Sequence, residues 1–318
     1  MSQVVVCGEA LMDVFALADT RTGMSLEARI GGSPLNVAIG LARLGRHVSF
    51  LGAISSGFLG DRLARALHDE GVDTSTVVRV DAPTTLALVG VDASGMPGYG
   101  FYGDGGADRQ LAVDALRRLP SDVAAIHVGS FATVVEPIAS TLRTLVEQSR
   151  ERIFISYDPN IRLDVEPDLT RWRAVLDWML TRARLVKMSE EDLALLCPGM
   201  SPATFVDWAT GQGVRIAIVT KGAAGAVGAT PSSRATVPAF AASIVDTVGA
   251  GDTFQAALLT WLVENQLLGI DESNEISEPR LIDAMRFASM AASLTCSRRG
   301  ADLPRRHELA SALAAFSD

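Results

Sequence analysis

Short, unbroken apolar runs recur along this chain with helical patterns between them, and that alternation restricts the fold more than any other feature. Residues 4–7, 48–52, 124–128, 153–157, 185–188 and 216–220 are rich in β-branched and other apolar side chains, the pattern of strands covered on both faces. Helical patterns fill the intervals at 34–44, 59–70, 136–148, 172–181, 190–197 and 202–210. The order predicts an α/β fold of Rossmann type: a mostly parallel sheet with helices on both faces, and ligands at the carboxyl ends of the strands.

Two stretches break the alternation. Residues 14–30 and 84–101 are strand-like and half-polar, with no helix between, and 92–106 (DASGMPGYGFYGDGG) is dense in glycine and aromatics. They predict a small β-sheet lid, or else two surface hairpins. The expected organisation is a core of 1–12, 31–83 and 110–318 with a lid of 13–30 and 84–109. At 318 residues the chain is long enough for one such domain and its accessory sheet.

Composition excludes several function classes. A net charge of −9 argues against a general nucleic-acid binder. The apolar run at the N-terminus is too short for a signal peptide, and no uninterrupted apolar stretch is long enough to span a membrane, so a cytoplasmic protein is expected. Three widely spaced cysteines form no zinc or disulfide pattern, and the four histidines form no nucleophile or metal pattern. GYGFYG at 98–103 matches a dinucleotide fingerprint only in its letters, since it neither follows the first strand nor opens a helix.

The segment DTVGAGDTF (246–254) runs into an apolar helical pattern, QAALLTWLVEN. Glycines ahead of a helix start expose successive amides, and the helix dipole favours an anion there. An aspartate in such a loop would repel a phosphate that was merely held. It makes sense if Asp252 receives the proton of an incoming hydroxyl while the amides of Gly249, Ala250 and Gly251 hold a transferring phosphoryl group. Taken alone, the loop fits equally well a helix cap after a glycine turn.

This segment and GGSPLNVAIGLARLG (31–45) together resemble the two signature regions of the pfkB, or ribokinase-like, carbohydrate kinases, in the family's order and approximate spacing over essentially the whole chain. The resemblance implies a Rossmann-like core with a β lid, and transfer of the ATP γ-phosphoryl to a primary hydroxyl of a small sugar or nucleoside. It makes Asp252 the base and Gly249, Ala250 and Gly251 the anion hole. Asp13, Gly32 and Asn36 become sugar contacts, and the residue types suit a polyol, an acceptor beside an amide that both donates and accepts.

The same resemblance extends to the nucleotide side. TKGAAGAVG (220–228) resembles the family's ATP-binding turn, with Thr220 and Gly222 against the triphosphate and Gly225 permitting close approach. Lys187 matches a phosphate-side lysine. Where the family carries Asn-x-x-Glu, tied to magnesium (Mg2+) placement, this chain reads Ser189-Glu190-Glu191-Asp192, a departure that shortens the reach of both end groups. Residues 287–301 resemble an adenine-pocket wall, without the asparagine often found near Ser289. Asp246 and the Val248 carbonyl match a monovalent-cation site, implying potassium (K+) activation, and relatives with lid-mediated contacts imply a homodimer.

Two further motifs bear on the acceptor. YGFYGDGGADR (99–109) and DPNIR (158–162) resemble segments of bacterial fructokinases. Phe101 is then an apolar wall for the sugar. Arg162 reaches the phosphoryl or substrate side, with pairing to Asp164 as its alternative. D-Fructose is the implied acceptor. The alternatives are 2-keto-3-deoxygluconate, whose carboxylate Arg109 and Arg162 could bind, and aminoimidazole riboside. A non-catalytic sugar-binding module is the contrasting class.

Overall fold

The computed structural model describes residues 3–91, 97–240, 243–270 and 275–316. In chain order the elements are β1 (Gln3–Cys7), β2 (Leu11–Thr20), β3 (Gly23–Gly31), α1 (Ser33–Arg43), β4 (Val48–Leu51), β5 (Ala53–Ser55), α2 (Phe58–Asp69), β6 (Val78–Val80), β7 (Leu86–Val91) and β8 (Pro97–Tyr102). There follow β9 (Val123–Gly129), α3 (Ile138–Ser149), β10 (Phe154–Asp158), α4 (Leu169–Leu180), β11 (Leu185–Ser189), α5 (Glu190–Leu196), α6 (Pro202–Gly211), β12 (Ile216–Thr220), β13 (Ala226–Ala229), β14 (Arg234–Val237), α7 (Ala250–Glu264), α8 (Glu278–Cys296) and α9 (Arg306–Ala315).

Eight strands form the main sheet in the order β14-β13-β12-β11-β10-β9-β1-β4. All pairs are parallel except β12–β13 and β13–β14. Side chains alternate between the two faces of each central strand, so an unbroken apolar run feeds two cores. Val4 and Val6 of β1 join the core beneath α1, α7 and α8, while Val5 and Cys7 join the one beneath α3 and α4. Ile216 and Ile218 of β12 divide from Ala217 and Val219 in the same way.

The two segments that interrupt the alternation form a separate four-stranded sheet, β3-β2-β7-β8. β2–β3 and β7–β8 are antiparallel and β2–β7 is parallel. Its strands occupy the expected regions, except that residues 92–96 lie outside the described residues and 107–109 form a 3₁₀ turn. Residues 98–102 lie on β8, which opens no helix and so fits no dinucleotide fingerprint. Helix α4 starts earlier than its periodicity predicts because Asp168 caps it, accepting from the Thr170 amide at 2.9 Å. Among the described residues, no helix is long and apolar enough to cross a membrane.

Candidate active site

Two helix starts converge where the carboxyl ends of β1, β9, β10 and β11 open. Gly249 adopts the left-handed region (φ 78°) and turns the chain into α7, which places Asp252 in the first helical turn. The Asp252 side chain is 8% exposed, and both its oxygens are held by the first turn of α1. Ser33 Oγ donates to Oδ1 at 2.6 Å and Asn36 Nδ2 donates to Oδ2 at 2.8 Å. The family resemblance makes Asn36 a sugar contact and gives Ser33 no role.

The loop ahead of α7 differs in one respect from expectation. The Ala250 amide donates to the Thr247 carbonyl at 3.2 Å, so it is already engaged. No described residue accepts from the amides of Gly249, Gly251 or Asp252. The open donors at this helix start are therefore Gly249, Gly251 and Asp252 rather than the run 249–251. Asp246 braces the loop: its carboxylate accepts from the Val248 amide at 3.1 Å and from the Gly300 amide at 2.8 Å.

Two cavities of about 500 Å³ meet at this point. One, of 490 Å³, is lined by Glu9, Asp13, Phe15, Gly32, Ser33, Asn36, Phe101, Ser130, Arg162, Asp164 and Asp252, among others. Burial pushes the Asp13 carboxyl up to about 6, with Arg162 opposing the shift and the Asp252 charge adding to it. Burial pushes Glu9 up to about 8, against the pull of a Ser130 hydrogen bond. Phe101 stacks edge-on against Phe131, centroids 6.3 Å apart, and both rings line the cavity. Ser130 (φ 54°) and Asn160 (φ 39°), just beyond β9 and β10, hold left-handed backbone conformations at its wall.

Not every predicted residue reaches this cavity in the expected role. Arg162 lines it, but its Nη1 folds back on Asn160 Oδ1 (2.7 Å) and the Ile161 carbonyl (2.9 Å), and its pairing with Asp164 does not form. Arg109 does not line it: its Nη1 lies 3.5 Å from Asp104, beyond the small sheet's last strand. Gly31, which no motif assignment named, has no room for a side chain, because a Cβ there would overlap the Asp13 carboxylate. Gly31→Ala is accordingly expected to displace Asp13 and raise the KM for the acceptor about tenfold, corresponding to about 1.4 kcal/mol. A saturation curve against the sugar checks this.

The second cavity, of 510 Å³, is lined by Lys187, Ser189, Asp192, Thr220, Gly222, Gly225, Phe240, Phe254, Ser289 and Cys296, among others. Asn160, Thr247 and Gly251 line both cavities. Lys187 is buried in an ion pair with Asp158, Nζ to Oδ2 2.8 Å, and approaches the Gly251 carbonyl at 3.4 Å. Burial disfavours the ammonium, but Asp158, Asp252 and Asp192 together hold its pKa above the usual lysine value. Burial raises Asp158 to about 6, with the Lys187 charge and hydrogen bond opposing the shift.

Ser189 caps α5, accepting from the Asp192 amide at 3.0 Å, which leaves its O–H and one lone pair for a ligand. Asp192 Oδ1 accepts from the Ile161 amide at 3.1 Å. Gly225 lines the cavity, yet its glycine is required by the protein itself: at φ 87° a Cβ would run into the Val237 carbonyl of β14. Asp158, inside the DPNIR motif, was missed as a site residue. A buried carboxylate beside a strand-end lysine carries no sequence signal until the register of β10 on β11 is known.

The chain matches the family model described as pfkB family carbohydrate kinase over residues 1–308. It belongs to the pfkB family of carbohydrate kinases. This pfkB kinase is 32% identical to a fructokinase of Rhizobium leguminosarum bv. trifolii over 96% of its own length and 91% of the relative's. It superposes on a fructokinase of Xylella fastidiosa with bound ATP at a TM-score of 0.86 and 25% identity, over 99% of each chain. A fructokinase of Vibrio cholerae O395, in a fructose-, ADP- and calcium-bound form, matches at a TM-score of 0.82 and 28% identity, covering 98% of this chain and 99% of that one. The ribokinase-like fold expected from the signatures is thereby established.

Proposed function

We propose that this kinase transfers the γ-phosphoryl group of ATP to the primary hydroxyl of D-fructose, giving fructose 6-phosphate. The observation that carries the reading is the position of Asp252 where the two cavities meet, beside the open amides of Gly249 and Gly251. In the cavity of Asp13 and Asn36 a polyol finds acceptors and a donor; in the cavity of Thr220 and Gly222 a nucleotide lies against a glycine turn. Asp252 takes the proton of the attacking hydroxyl. The amides and the Lys187 ammonium stabilise the charge on the phosphoryl oxygens, which is most of what phosphoryl transfer asks of a protein.

Magnesium fits the donor set on the nucleotide side. Asp158 Oδ1 is buried with no hydrogen-bond partner, and the Asp192 carboxylate faces the same charges. These two carboxylates would hold the ion, which when bound neutralises phosphate charge. Potassium at Asp246 and the Val248 carbonyl, and closure of the small sheet as a lid that carries Asp13 and Phe101 onto the sugar, complete the reading.

The cavity's charge argues against an anionic acceptor. Asp13, Asp164 and Asp252 line it with a single guanidinium, burial favours the neutral acid of Glu9 beside them, and Arg109 stands outside. A ketodeoxygluconate carboxylate would meet like charges there. In a panel of acceptors at saturating ATP, kcat/KM for fructose is expected to exceed that for 2-keto-3-deoxygluconate at least about tenfold, roughly 1.4 kcal/mol of discrimination. Preference for the acid would overturn the acceptor while leaving the kinase standing.

A further inference from the structure

Serine at the start of a helix ordinarily turns its oxygen to the backbone amides of the first turn. Ser33 does not: α1 has no side-chain cap, its N-cap position being Gly32 (φ 106°). The hydroxyl is donated instead across 219 residues of sequence to Asp252 Oδ1, at 2.6 Å, with both side chains buried. The backbone there is tightly fixed. Gly32 needs its left-handed conformation, and the Pro34 ring fills the space above Gly8. With Asn36 on Oδ2, each oxygen of the carboxylate accepts one hydrogen bond from α1, and each keeps a lone pair for a further donor.

We propose that Ser33 is a positioning residue for catalysis: its hydroxyl fixes the rotamer of Asp252 so that the free lone pair faces the acceptor hydroxyl. The inference rests on Asp252 being the base. It concerns a role for Ser33 that neither the signature region nor the family match assigns. The hydroxyl suits the task because O–H donation to a carboxylate is short and charge-assisted. Its companion Asn36 cannot replace it, since it holds the other oxygen.

The charged groups facing Asp252 come from several elements. Asp13 lies on β2, Asp158 on β10, Lys187 on β11, and Arg162 lies beyond β10 and lines the same cavity. None of them donates a hydrogen bond to either Asp252 oxygen among the described contacts, so removal of Ser33 leaves Oδ1 to the charges alone.

The test compares Ser33→Ala and Ser33→Thr with the wild type. In Ser33→Ala, kcat is expected to fall about tenfold or more, the scale of one hydrogen bond to a charged group. Calorimetric fructose affinity should stay within about threefold and the circular dichroism spectrum should be unchanged, which places the loss in the chemical step. Ser33→Thr, which keeps the hydroxyl, should restore the rate. A Ser33→Ala enzyme with wild-type kcat overturns the proposal. So does a loss carried wholly in the fructose KM, which would make Ser33 a sugar contact only. Asp252→Asn is measured alongside: full activity in that variant would sink the base assignment itself, whereas an inactive Asp252→Asn beside an unaffected Ser33→Ala sinks only the role of Ser33.

Discussion

Asp252→Asn is expected to lower kcat by about 10²–10⁴-fold, the range attributed to a positioned general base, while fructose and nucleotide still bind within a few-fold of wild type. The substitution keeps the shape of the side chain and removes its capacity to take a proton. It should also be tolerated. The new amide can turn its oxygen to Asn36 Nδ2 and its NH2 to Ser33 Oγ, because a serine hydroxyl accepts as readily as it donates. Both existing contacts are thereby satisfied and no buried polar atom is orphaned. A coupled ADP-release assay with calorimetric titration of fructose and nucleotide separates the chemical step from binding. Near-normal turnover would remove Asp252 from the proton transfer.

Lys187→Met is expected to give the largest loss of stability, about 3–5 kcal/mol, because it strands a buried carboxylate. Lys187 and Asp158 are each 4% exposed in their side chains, and Asp158 Oδ1 already lacks a hydrogen-bond partner. Without the ammonium, Asp158 takes up a proton instead of remaining charged. The native state then binds a proton that the unfolded chain, with an ordinary aspartate value of 3.8, does not hold above that pH. Stability of the variant should therefore fall as pH rises from about 4 through the raised native value, more steeply than in wild type. Urea midpoints at pH 5 and pH 8 check the sign. The double variant Lys187→Met/Asp158→Asn should recover most of the loss, since it removes the unpaired charge along with its partner. Turnover in both variants should remain low, as the ammonium that approaches Gly251 is gone.

The main sheet was legible because its strands are buried on both faces, and a short unbroken apolar run between helical patterns suits little else than a covered strand. The edge was less so. β13 and β14 (AVGA and RATV) are short and partly exposed, and only their antiparallel pairing with β12 makes them strands. At the site, Asp13, Asn36, Phe101, Lys187 and Asp252 could be named from motifs and are brought to one place. What motifs could not supply was long-range pairing. The Ser33–Asp252 bond joins two signatures, and the Lys187–Asp158 pair depends on neighbouring strands. Gly225 and Arg109 show what else a motif residue can be doing. One glycine is needed by a neighbouring strand as well as lying at the cavity, and one arginine is turned toward Asp104.

The strand order carries a consequence of its own. β1, β9, β10, β11 and β12 are successive neighbours, and at or just beyond their carboxyl ends lie, in turn, Asp13, Ser130, Arg162, Ser189 and Thr220. At about 4.8 Å per strand the row extends about 19 Å from first to last. On the proposed reading, the sheet is a ruler on which acceptor, reacting phosphorus and nucleotide sit at successive marks. Loops at the β1 end can be rewritten for another polyol without disturbing the turn at β12, because three strands separate the two. On the proposed reading, acceptor and nucleotide are met by different strands, and the two sides share Asn160, Thr247 and Gly251.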